Sequence, residues 1–420
     1  MYSIIVLIIE FLIMALLRPN GNIEVSNSLA TVMILIESIA VCFDLNKFRN
    51  RQAQLPLFLG YLWRLFLLYF DIFGKNIFVL PNSSSDAVIF YNEALFFSET
   101  GVPGRHGKFF SIIMGTLFKV VGNSKLYGEF FIMLVSFAAI YCMVRTLEEL
   151  NIDSTLIALT TWIIGLLPNF AILSVVFMRE SFVTFMLTVS LLFFAKWMQK
   201  SSALYFVIAF VFTFIAASFH SGSIAIAVGF VAVLFLYDRE SQKYKFNVKN
   251  IVPVLAFIIV FIFLFLNYGD LFFSKFLRYN SVADFGEVAV KGGSSYSAYV
   301  GSSSNLGDMV IFTIPRFLYF MFSPFPWQWR SVNDIIAFVF SSGFYMSVFG
   351  VVLKYLKKHK TKNKRLLIAF FIVAICITFI FSWGVTNTGT AVRHRDKMVT
   401  LFGIMLALAL NKQDENLYTK

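Results

Sequence analysis

The 420-residue chain is 59% hydrophobic and only 14% charged, and its mean hydropathy is +0.78. It carries more apolar side chains than the core of a water-soluble domain of this length buries, so composition excludes a soluble globular fold. The formal net charge of +12 at pH 7 does not indicate a nucleic-acid partner, because most Lys and Arg residues lie in short segments between apolar runs, as expected for loops of a membrane protein.

Apolar runs follow one another along the chain, and many are long enough to cross a hydrocarbon core of roughly 30 Å as helices. The first run, Tyr2 to Leu17, has the length of a signal peptide. It lacks a basic segment before it and a small-residue cleavage site, so we predict that it is the first span. Cys42, Cys142 and Cys376 lie inside apolar segments, which argues against a disulfide framework or a thiolate metal site.

The basic segment from Lys354 to Arg365 sets the predicted orientation. It carries seven Lys and Arg residues between two apolar runs, so the positive-inside rule places it in the cytoplasm. Alternating the other runs from this point predicts an all-α polytopic membrane protein of about twelve transmembrane helices with both termini in the cytoplasm. No shift in composition divides the chain, and we therefore predict a single integral membrane domain over residues 1–420.

The same alternation predicts two long loops on the external side. The first, residues 71–126, contains amphipathic helices that lie in the membrane interface. The second, residues 267–333, follows a predicted span from Ile251 to Leu266. Its apolar part, Met309 to Phe322, cannot cross the membrane without reversing the sidedness of the later helices, so we predict a re-entrant or interfacial segment there.

Ionisable residues at the outward ends of apolar helices are candidates for function, because charge near hydrocarbon is costly and is retained for use or for pairing. Asp86, with Tyr91 on the next turn, is either a helix-capping residue or a general base. Arg179 and Glu180 interrupt an apolar stretch and either pair with each other or bind substrate. His220 joins two apolar helices through small residues and is either a structural group or a base.

Further basic residues are predicted on the same external side. Arg105 and His106 lie in the first loop. Arg278 and Arg316 lie among aromatic residues, where contact with lipid head groups is the alternative interpretation. The last group stands at the start of the final span and consists of Arg393, His394 and Arg395. Arginine presents paired donors that match phosphate oxygens, so the whole set predicts a binding site for a diphosphate.

Four short motifs contain many of these residues. They are SDAVIFYNEA in the first loop, MRESFVTFMLTVSLLFFAKW, FHSGSIA, and GTAVRHRDKMV before the last span. Their order and spacing, from about residue 55 to about residue 410, resemble those of Wzy-type polysaccharide polymerases of the EpsG-like branch. These polymerases belong with the GT-C membrane glycosyltransferases, and the resemblance therefore implies a GT-C-like fold.

The resemblance also implies a reaction, a location and partners. A growing glycan is transferred from undecaprenyl diphosphate to the nonreducing hydroxyl of another lipid-linked repeat unit, on the external face of the bacterial cytoplasmic membrane. Arg179, Arg316 and Arg393 are then expected to bind the diphosphate, while Asp86 or His220 acts as the base. Neither a cofactor nor a metal is expected, and the implied protein partners are a chain-length regulator and a flippase.

Two other functions remain open on the sequence. One is a GT-C glycosyltransferase that adds a single sugar from a polyprenyl-phosphate donor. Such enzymes often carry an acidic pair in the first loop, whereas Asp86 has no adjacent carboxylate. The other is a transporter or flippase for lipid-linked glycans. Transporters typically carry charges near the midplane and inverted repeats, and the sequence shows neither clearly.

Overall fold

The structure, a computed structural model, describes most of the chain. The described residues are 2–17, 25–84, 86–238, 243–245, 295–300, 306–358 and 362–411, together with 251, 252, 255, 259 and 263. Arg278, most of the predicted span from Ile251 to Leu266 and about half of residues 267–333 lie outside these ranges.

Helices make up most of the described structure, which confirms the all-α class. Six of them are long and apolar enough to cross a membrane, judged by length and composition. These six are Asn27–Asn46, Arg51–Phe73, Lys125–Glu149, Glu180–Lys200, Val332–Lys357 and Asn363–Trp383. Shorter apolar helices accompany them, as expected for a polytopic membrane protein. The predicted number of spans and the GT-C-like arrangement stay predictions.

The structure describes the bounds of the following α-helices, in chain order. They are α1 (Tyr2–Leu17), α2 (Asn27–Asn46), α3 (Arg51–Phe73), α4 (Asp86–Thr100), α5 (Lys108–Val121), α6 (Lys125–Glu149), α7 (Ser154–Leu166), α8 (Pro168–Leu173), α9 (Glu180–Lys200), α10 (Ala203–Phe219), α11 (Ala225–Leu236), α12 (Leu306–Phe322), α13 (Val332–Ile336), α14 (Gly343–Lys358), α15 (Lys362–Trp383), α16 (Thr388–Asp396) and α17 (Val399–Leu410). A single α-helical turn, Ser297–Val300, precedes α12.

Several short elements join these helices. A 3-10 turn, Ser221–Ile224, leads into α11, another spans Pro326–Gln328, and a π-helical segment, Ala337–Ser342, connects α13 to α14. Two-residue strands β1 (Tyr237–Asp238) and β2 (Lys243–Tyr244) pair antiparallel.

The chain divides into two compact units. The first unit comprises Met1–Val144 and Ile157–Phe185, and the second comprises Arg145–Leu156 and Met186–Lys420. Helices α6, α7 and α9 therefore contribute residues to both units. The predicted single domain over residues 1–420 stays a prediction.

A buried arginine supports an interrupted helix in the first unit. Helix α7 ends before Pro168, which leaves carbonyl groups of its last turn without intrahelical N–H donors. Arg64 of α3 is fully buried and donates from Nη1 to the carbonyl oxygen of Gly165, and also to that of Gly60 at 3.0 Å. Its guanidinium lies 5.1 Å from the ring centroid of Phe170 on α8. The side chain thus fixes α3 to the break between α7 and α8.

Aromatic rings form the core of the first unit beneath α4 and α5. Phe110 of α5 packs edge to face on Phe90, Phe177 and Phe182, each at a centroid distance of 5.6 Å. Edge-to-face pairs of this kind stabilise beyond the area they bury. The core holds α4 and α5 against the segment that precedes α9. Both helices lie within residues 71–126, where amphipathic helices are predicted.

Close helix packing in the second unit depends on a glycine. Helix α11 meets α15 at Gly229, where a Cβ atom would lie only 2.7 Å from the Cα atom of Val373. Nearby, the rings of Phe194 and Phe230 stack at 4.3 Å. The absence of a side chain at residue 229 is therefore what allows the two helices to approach.

We expect the substitution Gly229→Ala to destabilise the second unit, since its Cβ would press on a backbone atom that cannot move independently. Overpacking of this kind costs about 1–3 kcal/mol. Gly350→Ala in α14 is the matched control, because a Cβ there meets nothing within 4 Å and alanine favours the helix by about 0.5–1 kcal/mol. Thermal unfolding of purified protein in detergent micelles checks both; a midpoint for Gly229→Ala at or above that of Gly350→Ala would contradict the packing.

Candidate functional site

The structure separates the predicted site residues into two groups. Six of them belong to the first unit: Asp86, Tyr91, Arg105, His106, Arg179 and Glu180. Five belong to the second unit: His220, Arg316, Arg393, His394 and Arg395. Arg278 lies outside the described residues. Each group is described within its own unit.

Arg179 in the first unit holds the loop that precedes α5. It is the last residue before α9, and its Nη1 donates to the carbonyl oxygen of His106 at 3.0 Å. Its guanidinium carbon lies 5.3 Å from the ring centroid of Phe90. Arg105 and the side chain of His106 are exposed on this loop. Arg179 therefore fixes a loop that presents a guanidinium and an imidazole to the surroundings.

Glu93 of α4 organises the same loop from the other side. Its Oε1 accepts hydrogen bonds from the backbone N–H of His106 at 2.9 Å and contacts Nδ1 of that imidazole at 2.8 Å, while Oε2 accepts from the N–H of Gly107 at 3.1 Å. Partial burial would raise the pKa of Glu93, but the hydrogen bonds from His106 and Gly107 lower it below its ordinary value. A Cβ on Gly104 would overlap the Glu93 side chain. We call Glu93, His106, Gly107 and Arg179 the loop cluster.

The other predicted residues of the first unit lie at helix ends or in the aromatic core. Asp86 is half-buried and is the first residue of α4, where negative charge is favourable, so the capping interpretation and the base interpretation both stay open. Tyr91 donates from its hydroxyl to Oδ1 of Asn123 at 2.8 Å, and its ring packs on Phe177. Glu180 is buried at the start of α9.

In the second unit the two predicted histidines meet. The imidazole rings of His220 and His394 contact edge to face with their centroids 4.7 Å apart, and both side chains are buried. Phe381 of α15 contacts both rings, at 5.4 Å from His220 and 5.1 Å from His394. A Cβ on Gly222 would lie 2.5 Å from the Phe381 ring. The HSG sequence after α10 thus requires a glycine so that Phe381 can reach the histidines.

Two further cations lie beside the same aromatic residues. The ammonium of Lys397 is 5.9 Å from the Phe381 ring centroid, and the guanidinium of Arg316 is 4.3 Å from the Trp383 ring centroid. Both Lys397 and Arg316 are almost completely buried. Cations stack favourably on aromatic faces, and the attraction strengthens where water is excluded. The aromatic end of α15 therefore gathers cationic and imidazole side chains from three other segments.

Arg395 has a different role from its neighbours. Its Nη1 donates to the carbonyl oxygen of Met321 at 2.6 Å, and its Nη2 donates to that of Ser323 at 2.7 Å. These carbonyl oxygens lie at the C-terminal end of α12, where the helix supplies no N–H donors for them. The hydroxyl of Tyr345 donates in turn to the carbonyl oxygen of Arg395 at 2.6 Å. Arg395 thus anchors the end of the helix that carries Arg316.

Asp396 follows Arg395 at the end of α16 and is also buried. We call His220, Arg316, His394, Arg395 and Lys397 the basic cluster. Arg393 on α16 directly precedes His394 and is half-buried.

Sequence reasoning missed several residues that lie in or beside these two clusters. Lys397 and Asp396 follow the predicted RHR triplet directly, and their position beside three basic residues was the available signal. Glu93 lies two helical turns after Asp86, which places both on the same face of α4. Phe381 and Trp383 gave no signal, since aromatic residues are frequent throughout the chain. Among the residues that the structure describes, no three His, Cys, Asp or Glu side chains are arranged to hold a metal ion.

Comparison with known proteins adds no identification. No protein-family model, no curated protein and no solved structure matches the chain. The chemistry of the two clusters therefore rests on their geometry.

Proposed function

We propose that the chain is a membrane glycosyltransferase of the polysaccharide-polymerase type. It transfers a glycan from undecaprenyl diphosphate to a hydroxyl of another lipid-linked repeat unit. The observation that carries the proposal is the convergence of His220, His394, Arg316 and Lys397 on the aromatic end of α15. Buried cations beside paired imidazoles suit a reaction that creates an anionic leaving group and releases a proton.

The proposed reaction exchanges one glycosidic bond for another. The acceptor hydroxyl oxygen bonds to the anomeric carbon of the donor glycan, and the bond from that carbon to the phosphate oxygen breaks. The electron pair leaves with undecaprenyl diphosphate, whose charge Arg316 and Lys397 stabilise. In a site from which water is largely excluded, such fixed charges act more strongly than they do in water. Arg393, half-buried on the same segment, supplies a further guanidinium.

The proton of the acceptor hydroxyl passes to an imidazole in this proposal. His220 and His394 contact each other edge to face, and either imidazole can accept a proton. Asp86 is the alternative base and belongs to the first unit.

Arg395 acts as a positioning residue in this proposal rather than as a phosphate ligand. Both of its terminal nitrogens already donate to main-chain carbonyls at the end of α12. Those bonds fix the helix whose Arg316 faces Trp383. The loop cluster of the first unit contributes anion contacts of its own, since Arg105 and His106 are exposed on a loop that Glu93 and Arg179 hold in place.

The proposed setting is the bacterial cytoplasmic membrane, with the reaction on its external face and both termini in the cytoplasm. The apolar helices support a location in a membrane. The proposed substrates are undecaprenyl-diphosphate-linked oligosaccharides, and the proposed protein partners are a chain-length regulator and a flippase. The alternatives are transfer of a single sugar by a GT-C glycosyltransferase and transport without chemistry.

We expect purified protein incubated with a lipid-linked repeat unit to form a ladder of products. Arg316→Ala and His220→Ala should each lower turnover by at least about a hundredfold, because each removes a group that acts on charge or proton transfer. Arg316→Lys should retain intermediate activity, since it keeps the charge but loses the paired donors. Products are resolved by gel electrophoresis and mass spectrometry.

Arg330→Ala is the matched control, since Arg330 is an exposed arginine of the same unit whose contact with Asp334 is made by its backbone N–H. It should keep wild-type turnover. A single addition instead of a ladder would favour the one-sugar transferase, and the absence of any glycosyl transfer would favour transport without chemistry. Unchanged turnover in both Arg316→Ala and His220→Ala would overturn the proposed role of the basic cluster.

A further inference from the structure

The first two helices carry two glutamates that the proposed function does not use. Glu10 lies in the middle of α1 and Glu37 in the middle of α2, and both helices are otherwise strongly apolar. The side chain of Glu37 is 1% exposed and that of Glu10 is 7% exposed. Carboxyl groups inside apolar helices are costly and mark sites of function or pairing.

Helix register places the two glutamates at the same level. At one end of the helix pair, the backbone N–H and the hydroxyl of Ser3 donate to Oδ2 of Asp44 at 2.9 Å and 2.6 Å. Glu10 follows Ser3 by seven residues, and Glu37 precedes Asp44 by seven residues. Seven residues are close to two turns and about 10 Å of rise, so each glutamate lies on the same helix face as its anchor. The two carboxyl groups therefore face each other, in agreement with their electrostatic interaction.

The surroundings of the pair contain hydroxyl groups and no paired cation. Tyr127 of α6 donates from its hydroxyl to Oε2 of Glu10 at 2.7 Å. Tyr61 of α3 interacts electrostatically with Glu37, and its hydroxyl is 2.8 Å from the hydroxyl of Ser38. Glu37 also interacts electrostatically with Asp44 on its own helix. In the part of the chain that the structure describes, no Lys or Arg forms an ion pair with either glutamate.

Within the described residues, two carboxyl oxygens of the pair have no hydrogen-bond donor. These are Oε1 of Glu10 and Oε2 of Glu37, both buried. Two adjacent carboxylates in a medium of low dielectric constant cannot both stay ionised without a counter-charge, because desolvation and mutual repulsion both favour the neutral form. A proton supplies the missing donor and removes one of the two charges.

We propose that Glu10 and Glu37 form a proton-binding carboxyl pair inside the apolar helices of the first unit. The ligand is a proton, held between α1 and α2 and supported by the Tyr127 hydroxyl. The site is independent of the glycosyl transfer proposed above. Loss of the proton leaves two negative charges between the helices. The packing of α1 against α2 therefore depends on pH.

The test uses dicyclohexylcarbodiimide, an apolar reagent that adds to a protonated carboxyl group and yields a stable N-acylurea without a further reactant. Full-length protein in detergent micelles is treated over a pH series, and adducts are located by peptide mass mapping. We expect one adduct per chain on Glu10 or Glu37, formed more slowly as pH rises. The double variant Glu10→Gln/Glu37→Gln should lose it, while Glu99→Gln, at an exposed glutamate of α4, should keep it.

The single variants show whether the carboxyls act as a pair. Removing one carboxylate removes repulsion from the other, so the pH of half-maximal labelling should move downward by about one unit in both Glu10→Gln and Glu37→Gln. An unchanged midpoint in both would mean that the groups do not interact. Absence of labelling at low pH, in protein that elutes as a single species, would overturn the site. Protection by Na⁺ at constant pH would assign a sodium ion instead and contradict the proton.

Discussion

The arrangement of the second unit depends on the two hydrogen bonds from Arg395 to the carbonyl oxygens of Met321 and Ser323. A buried guanidinium needs acceptors, and the end of a helix needs donors, so each satisfies the other. The bonds fix the end of α12, and α12 in turn sets Arg316 over Trp383. Without this anchor, the guanidinium of Arg316 would not be held over Trp383.

The apolar pattern predicts much of the fold. The bounds of α1 and α10, Tyr2–Leu17 and Ala203–Phe219, coincide with predominantly apolar runs. The sequence does not predict that the final span consists of two helices, α16 and α17. The break between them depends on how the side chains of Arg395 and Lys397 pack in the second unit. The boundary between the two units likewise leaves no trace in composition, since it falls within apolar helices.

For the candidate site, the sequence identifies unusual residues but not their neighbours. His220 stands out because it interrupts apolar surroundings and His394 because it lies between two arginines, yet only packing shows that their rings touch. Arg395 looks like a phosphate ligand in sequence, whereas its nitrogens lie on main-chain carbonyls. Glu10 and Glu37 are single acidic residues in separate runs, and their relation follows from helix register fixed at Ser3 and Asp44. Side-chain convergence is a property of tertiary structure, and a pattern along one chain does not contain it.

The central claim is that the basic cluster binds the diphosphate of a lipid carrier. Isothermal titration of purified protein with a short-chain polyprenyl diphosphate and with the matching monophosphate tests it most directly. The diphosphate should bind at least about tenfold more tightly, a difference of about 1.4 kcal/mol, and Arg316→Ala should abolish this preference. Equal affinities for the two lipids, or a preference that survives Arg316→Ala, would contradict the claim.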